Sequence, residues 1–435
     1  MCTIRTPQRR PVSTRMNKSP HLIIVGGGAA GMAAAIAAAE ETTALSVTVY
    51  EPNNVLGRKL RITGKGRCNV TNDCSPAEVL ENVTKNRKFL TGPIYRYTPA
   101  DVMSFFEENG VPLKTERGRR VFPVSDKAAD ISGAMERVMK GLGVRVVQEK
   151  VTSLLLSENG VYGVKTATGE HTADAVIVAT GGASYPGTGS RGDGYRFARE
   201  AGMAVAEPIP SLIPVITKED TAPLSGLSLK NVTLSVTTGG KVVYSEMGEM
   251  LFTHFGVSGP LVLSASAHMR GDIRQYRMFI DLKPALDDAT LDARLIADLT
   301  KYSQRDFVNS LSDLLPQKLI DPVIRQSRID PRKKSNAVTR EERAALRDAL
   351  KKFPLTPVSF RPIDEAIITS GGVEVSGLHT KTMMSKAVPG LFFAGEVIDV
   401  DAYTGGYNLQ IAFSTGVAAG QSAAQYVLAK DDTSV

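Results

Sequence analysis

Apolar residues fall into short β-branched runs that end in glycine, and into one alanine-rich block. HLIIV (21–25) runs into GGG, residues 29–40 are rich in alanine, and SVTVY (46–50) is a second apolar run. These patterns predict strand, tight turn, helix and strand. Together they make a βαβ unit of about 30 residues, and a parallel sheet is implied.

Short strands separated by turn signals continue through 143–182, and the apolar strand AVIVA ends there at Thr-Gly-Gly. The proline-rich EPIPSLIPV (207–215) then marks a change of domain. Alternation in LSLKNVTLSVTTGGKVVYSE (227–246) predicts a hairpin turning at Gly239-Gly240. From about 288 to 352 the period becomes helical and strongly charged, as a solvated helical cap would be. Residues 354–375 look β-like, and PGLFFAGE (389–396) predicts another apolar strand, which returns the chain to its first domain.

Composition narrows the function classes. The 435 residues, 42% hydrophobic and 22% charged, describe an ordinary globular protein with room for a large core. The net charge of +7 favours anionic partners without choosing among nucleic acid, phosphorylated cofactors and carboxylates. Cys2, Cys68 and Cys74 are too few for a disulfide framework, so a reducing cytoplasm is the expected location. No zinc-type CxxC, HxxxH, HExxH or EF-hand spacing occurs, and no metal is expected.

The first twenty residues carry Arg5, Arg9, Arg10, Arg15 and Lys18 with no acid, and Leu22 to Ala39 follow without a charge. This resembles a targeting signal or a short membrane span. The apolar run contains GGGAAG, however, and reads as core. The first residues are then a flexible basic tail, with Met16 as an alternative start, and no membrane partner is expected.

Gly26-x-Gly28-x-x-Gly31 follows a strand, opens a helix and is followed by Glu51 twenty residues beyond Gly31. That context makes it a dinucleotide fingerprint. Gly26 permits the turn, Gly28 admits the pyrophosphate, and Gly31 with Ala30 and Ala34 lets the helix approach the sheet. The free N–H groups of the helix start then bind the diphosphate. Glu51 would accept from the ribose hydroxyls and reject a 2′-phosphate, so FAD or NAD is expected rather than NADP. Gly187-x-Gly189-x-x-Gly192 matches the same pattern but follows Ser184-Tyr185-Pro186 instead of a strand, and serves as a turn into a helix near 194–201.

GRKLRITGKGRCNVTN (57–72) holds five cations and no carboxylate. Its glycine spacing fails the Walker pattern, and Cys68 and Cys74 stand one residue too far apart for a helical redox pair. An anion cradle, with glycines exposing N–H groups and Arg58, Lys59 and Arg67 supplying charge, fits best. A solvated basic loop is the alternative.

VGGGAAGMAAA, GRKLRITGKGRCNVTN, ATGGASYPGTGSRGDGY, LFTHFGVSGP and VPGLFFAGEVIDVDAYTGGYNLQIAFSTG together resemble the bacterial YhiN/BaiN-like flavoproteins, in order from about residue 20 to 425. These are described as NAD(P)/FAD-dependent, aminoacetone-oxidase-like oxidoreductases. The resemblance implies an α/β fold: a Rossmann-type FAD-binding domain of the two-dinucleotide-binding-domain type, with an inserted β-rich plus helical domain. The expected division is tail 1–20, FAD-binding domain 21–206, β-rich insert 207–287, helical cap 288–353, return strands 354–375, and FAD-binding domain again over 376–428.

Carried over by position, the resemblance puts Gly26, Gly28, Ala29, Ala30 and Gly31 on the pyrophosphate and Glu51 on the adenosine ribose. Arg58 and Lys59 lie along the cofactor, and Gly66, Arg67, Cys68, Asn69 and Val70 pass the flavin side. Val151 meets the adenine, Thr180 and Gly181 close over the nucleotide, and Gly395 and Glu396 end near the ribityl chain. Gly406, Asn408 and Leu409 start a helix aimed at the flavin pyrimidine, whose dipole favours the reduced ring. Lys65 stands where the family commonly has glycine. Two side chains offer proton transfer: His254, which also suits a structural role between aromatics, and Cys68, which also suits packing.

The expected activity is an FAD oxidoreductase that takes hydride from NAD(P)H, a transient reductant, and reduces an activated C=C bond of a small molecule. Reduction of unsaturated oxo bile acids by some relatives motivates this reading. Dihydrouridine formation in ribosomal RNA, also associated with the family, is the alternative, and the basic balance suits it. An FAD-bound scaffold without activity is a third. Oligomeric state is left open by the sequence.

Overall fold

The computed structural model describes residues 19–432. The basic arm, the alternative start at Met16 and Cys2 lie outside the described residues. No helix among those described is long and apolar enough to cross a membrane.

Five parallel strands form the first sheet, in the order Leu391–Phe393, Ala175–Val178, His21–Val25, Ser46–Tyr50 and Arg145–Val147. Ala175–Val178 is buried along its whole length, as a strand covered on both faces must be. The helix Ala29–Glu41 packs on this sheet, where a Cβ at Gly31 would come within 1.9 Å of the Gly26 carbonyl oxygen. Ala30 and Ala34 serve a different contact from the one the sequence implies. Their carbonyls meet Gly416 and Gly420 of the C-terminal helix Tyr407–Asp432, where added Cβ atoms would lie 2.4 and 2.2 Å away. Small residues thus bring the two helices to backbone distance and carry the start of the last helix toward the glycine turn.

The insert is a seven-stranded antiparallel sheet ordered Phe353–Leu355, Tyr276–Asp281, Ser228–Thr238, Lys241–Thr253, Gly256–Ser258, Val215–Thr217 and Pro357–Phe360. Gly239 and Gly240, at φ 55° and 77°, make its central hairpin turn. Three helices, Asp288–Lys301, Gln317–Ser327 and Arg340–Lys351, leave after Tyr276–Asp281 and return before Phe353–Leu355. Their apolar faces, with Leu291, Leu295, Leu319, Val323, Leu346 and Leu350, complete one core with the sheet.

Two strands connect the halves. Val205–Ser211 leads out, Ile368–Val373 leads back, and they pair with each other antiparallel. Residues 354–375 therefore divide: their first strands belong to the insert sheet and the last to this stem. A small core of Leu212, Ala267 and Ile368 seals the junction.

Candidate functional site

The carboxyl ends of four parallel strands open on one cavity of about 400 Å³. Gly26 to Ala30 follow the first strand, Glu51 to Asn53 the second, Ala179 to Gly181 the third, and Ala394 and Glu396 the fourth; all line the space. This is where open α/β sheets place their ligands.

The glycine turn is built for close approach. Gly26 has φ 107°, and a Cβ there would lie 2.5 Å from the Ala179 carbonyl oxygen. A Cβ at Gly28 would instead meet nothing within 4 Å, because it would project into open space. Gly28 caps the helix without a side-chain bond, and its first turn holds no acid. Its N–H groups and dipole are therefore free to take an anion.

Glu51 is held by its surroundings. One carboxylate oxygen accepts from the Gly27 N–H at 2.8 Å, and the other from the N–H and Nδ2 of Asn53 at 2.9 and 2.7 Å. Asn53 Nδ2 also donates to the Thr188 carbonyl at 3.0 Å, while its Oδ1 accepts from Arg58 at 3.1 Å. Asn53 thereby ties the acidic residue to the Pro186–Thr188 turn of the second glycine motif. That motif lines the cavity through Thr188, Gly189 and Ser190 and leads into the helix Asp193–Glu200.

Lys59 Nζ donates to Glu396 at 2.5 Å and to Ser184 Oγ at 2.7 Å. The other Glu396 oxygen accepts from Ser184 Oγ at 3.2 Å and from the Thr369 N–H at 2.9 Å. Val151, Thr180 and Gly181 complete the wall. Thr180 Oγ1 is buried without a partner there, and a bare Gly194 makes room for it. A narrow glycine cradle, an uncapped helix start, a braced carboxylate and an orphan hydroxyl fit a dinucleotide cofactor. They would hold its pyrophosphate at Gly26 to Gly31 and its ribose at Glu51.

Asn408 and Leu409 line the cavity from the first turn of the C-terminal helix. Asn408 copies a strand partner: its Oδ1 accepts from the Ala402 N–H at 2.9 Å, and its Nδ2 donates to the Ala402 and Tyr403 carbonyls at 2.7 and 3.2 Å. Gly406, at φ 100°, lets the helix start touch the chain, since a Cβ there would lie 2.3 Å from the Thr71 backbone. With its amide turned to satisfy its neighbours, Asn69 accepts from the Gly406 N–H at 2.9 Å and donates to the Thr71 carbonyl at 3.0 Å.

The basic segment divides differently from what the family resemblance implies. Gly57, at φ 64°, starts a helical stretch from Arg58 that is broken at Thr63 to Lys65, so the segment is not a loop from its first residue. Arg58, Lys59, Leu60 and Thr63 line the cavity, whereas Gly66, Arg67, Cys68, Asn69 and Val70 do not. Arg67 pairs with Glu116 at 2.8 Å and Asp126 at 3.3 Å and stacks over Phe122, so its charge is used within the protein. Cys68 is 0% exposed, and burial pushes its thiol up to about 12, which removes it from contact with a substrate. Gly395 packs against Ala30 instead of lining the space. His254 lies exposed on the turn between Lys241–Thr253 and Gly256–Ser258, edge-on to Phe255, and is not on the cavity wall.

Asn53, Ser184 and Thr369 were missed by the sequence reading. Asn53, two residues beyond Glu51, was the one with a local signal.

Fold and site define a Rossmann-type FAD-dependent oxidoreductase. The chain belongs to the family described as HI0933-like protein Rossmann domain, which matches residues 20–422 and bears out the resemblance to YhiN/BaiN-like flavoproteins. It is 29% identical over 384 residues to a 3-dehydro-bile acid delta(4,6)-reductase of Clostridium scindens, covering 87% of this chain and 93% of the relative. It is 30% identical over 378 residues to a ribosomal RNA dihydrouridine synthase of Haemophilus influenzae, covering 86% and 91%. A protein of the same description from Escherichia coli is 28% identical over 374 residues, covering 84% and 88%.

Proposed function

We propose that the protein takes hydride from NAD(P)H and delivers it to an activated C=C bond of a small molecule. Bound FAD would supply the two-electron chemistry. The chain's own residues hold the diphosphate at the helix start, fix the ribose through Glu51, and wall the cavity with Val400, Leu409, Ile411, Ala412 and, from the stem, Ile367 and Ile368.

The distribution of charge favours a small molecule over RNA. Five of the seven net positive charges lie in residues 1–18, so the rest of the chain is almost balanced. Beside the 57–72 segment, Arg67, Lys114 and Arg119 are each spent on Glu116, Asp126 or Glu78. An RNA groove needs a run of cations free for phosphates. The bile acid relative supports the same reading.

Ribosomal RNA is the second reading, favoured by two of the relatives, and it needs the same chemistry at the pyrimidine C=C bond. Anaerobic mixing of the FAD-loaded enzyme with NADH or NADPH should bleach the flavin, and a 3-oxo-4,6-diene bile acid should restore its colour. No bleaching by either nucleotide would overturn the proposed reductant. Unchanged bile acid, together with loss of dihydrouridine from ribosomal RNA in deletion cells, would transfer the proposal to RNA.

A further inference from the structure

The Pro186–Thr188 turn and the residues after it run across the glycine cradle. Asn53, just past the end of Ser46–Tyr50, donates to the Thr188 carbonyl at 3.0 Å, and a Cβ on Gly189 would lie 2.6 Å from the same Nδ2. One residue further, Ser190 Oγ donates to the Gly182 carbonyl at 2.8 Å, past the end of Ala175–Val178. Those two strands flank His21–Val25 on opposite sides. The turn therefore spans the carboxyl end of the strand that leads into Gly26, and Gly189 to Arg191 share one cavity with Gly26 to Ala30.

The positive charges on that wall are unevenly spent. Lys59 pairs with Glu396, and Lys150 with Asp193 at 2.9 Å. The Arg58 guanidinium bonds only to the neutral amide of Asn53, at 3.1 Å. The Arg191 guanidinium lines the cavity and is exposed, yet it has no hydrogen bond, ion pair or ring contact among the described residues. Arg58 and Arg191 are thus left without a counter-charge, and a diphosphate ester carries a negative charge on each phosphate.

Backbone donors are spare there as well. Gly189 and Gly192 have φ of 103° and 78°, and between them the N–H groups of Ser190 and Arg191 find no acceptor among the described residues. Ser190 is only 7% exposed, so a donor left unpaired at that depth is costly unless a ligand meets it. Successive free N–H groups in such a turn form a concavity that suits an anion.

We propose that the second glycine motif, residues 187–192, is the opposite jaw of the cofactor's diphosphate site, with the Arg191 guanidinium and the Ser190 and Arg191 N–H groups as its donors. The helix start at Gly28 holds the diphosphate from one side, and this turn holds it from the other. The inference rests on the FAD reading of the cavity and is independent of the hydride donor and the substrate. A helix start offers only about half an elementary charge. Arg191, with Arg58, supplies the remainder through charge-assisted hydrogen bonds. Gly187-x-Gly189-x-x-Gly192 thus imitates a dinucleotide fingerprint without following a strand because it meets the same anion from the far face. Asn53 gains a second duty, which is to hold this jaw in register with Glu51.

The test is a calorimetric titration of the full-length, cofactor-free protein with FAD, with ADP-ribose, which has the diphosphate ester but no flavin, and with adenosine, which has neither. Arg191→Gln should weaken FAD and ADP-ribose alike, by about tenfold at low salt, and leave adenosine unchanged. The fall of FAD affinity with added KCl should become shallower, and Arg191→Lys should recover part of the loss. The urea midpoint of the cofactor-free variant should match wild type, because the guanidinium touches nothing in the folded chain. FAD and ADP-ribose affinities within about twofold of wild type overturn the inference, and slower reduction by NAD(P)H in that variant would assign Arg191 to the visiting nucleotide instead. An equal loss for adenosine also overturns it, since the residue would then serve the base. A wild-type protein that binds FAD no better than adenosine overturns the FAD reading and this inference with it.

Discussion

Lys59 and Glu396 stand 337 positions apart in the chain, yet their charged groups meet at 2.5 Å beside the cavity. Glu396 also accepts from Thr369 on the returning stem strand, so one carboxylate joins the basic helix, the last parallel strand and the insert. At 24% and 14% side-chain exposure, the pair is shielded enough for its geometry to count. Glu396→Gln should lower stability by about 1–3 kcal/mol, since it weakens a partly buried charged hydrogen bond. In a urea denaturation cycle with Lys59→Met, the double variant should lose less than the two single losses added together.

Gly28 and Gly31 separate binding from folding. Gly28→Ala places a methyl where no protein atom lies within 4 Å, so the urea midpoint of the cofactor-free protein should stay put while FAD affinity collapses. Gly31→Ala drives a methyl to within 1.9 Å of the Gly26 carbonyl and should destabilise the protein by about 2 kcal/mol or more. Isothermal titration with FAD alongside denaturation distinguishes the two.

Asn53→Ala removes the amide that joins Glu51 to the Thr188 turn. FAD affinity should fall about tenfold, equivalent to one lost hydrogen bond to a charged group. Fluorescence titration of the cofactor-free protein reads it directly.

Cys68 and Cys74 should be poor nucleophiles. Burial raises their thiols to about 12 and about 11, so little thiolate exists at pH 8. Iodoacetamide at pH 8 should leave the Cys68 peptide unmodified by mass spectrometry until denaturant is added. Cys68→Ala should keep turnover within twofold.

Acid should erode stability through a defined set of carboxylates. Hydrogen bonds from Arg119 to Glu78, Arg67 to Glu116 and Lys114 to Asp126 hold these groups below their ordinary values, Glu78 at about 2. A depressed folded value stabilises fully above the unfolded one, near 4.5 for glutamate, and the gain is lost as pH falls toward 2. Urea midpoints between pH 5 and pH 2 should drop, and Arg119→Ala should make that drop shallower.

Much of the cofactor half was legible because its signals are local. A β-branched run, three glycines at fixed spacing, an alanine helix and Glu51 lie within about thirty residues, and their geometry follows from backbone sterics and helix ends. Gly239-Gly240 likewise announced its hairpin. Side-chain partnerships were less visible, because they depend on which distant segments converge. Arg67 reads as a cofactor cation until the hairpin of Leu113–Glu116 and Arg120–Pro123 brings Glu116 beside it. His254 sits in the more conspicuous motif, while His268, fourteen residues later, is the one whose ring meets Tyr403, 135 positions away in the chain.

The paired stem gives the insert a single doorway. Because Val205–Ser211 and Ile368–Val373 hydrogen-bond to each other, everything between them starts and finishes at one place on the cofactor half. Such a segment can be lengthened, reshaped or exchanged like a cassette without re-registering the parallel sheet. The glycine cradle and Glu51 lie outside it, while Thr369 and His268 lie within it or on its return strand. Substrate range can therefore diverge in one half of the molecule while the machinery that holds the cofactor stays unchanged in the other.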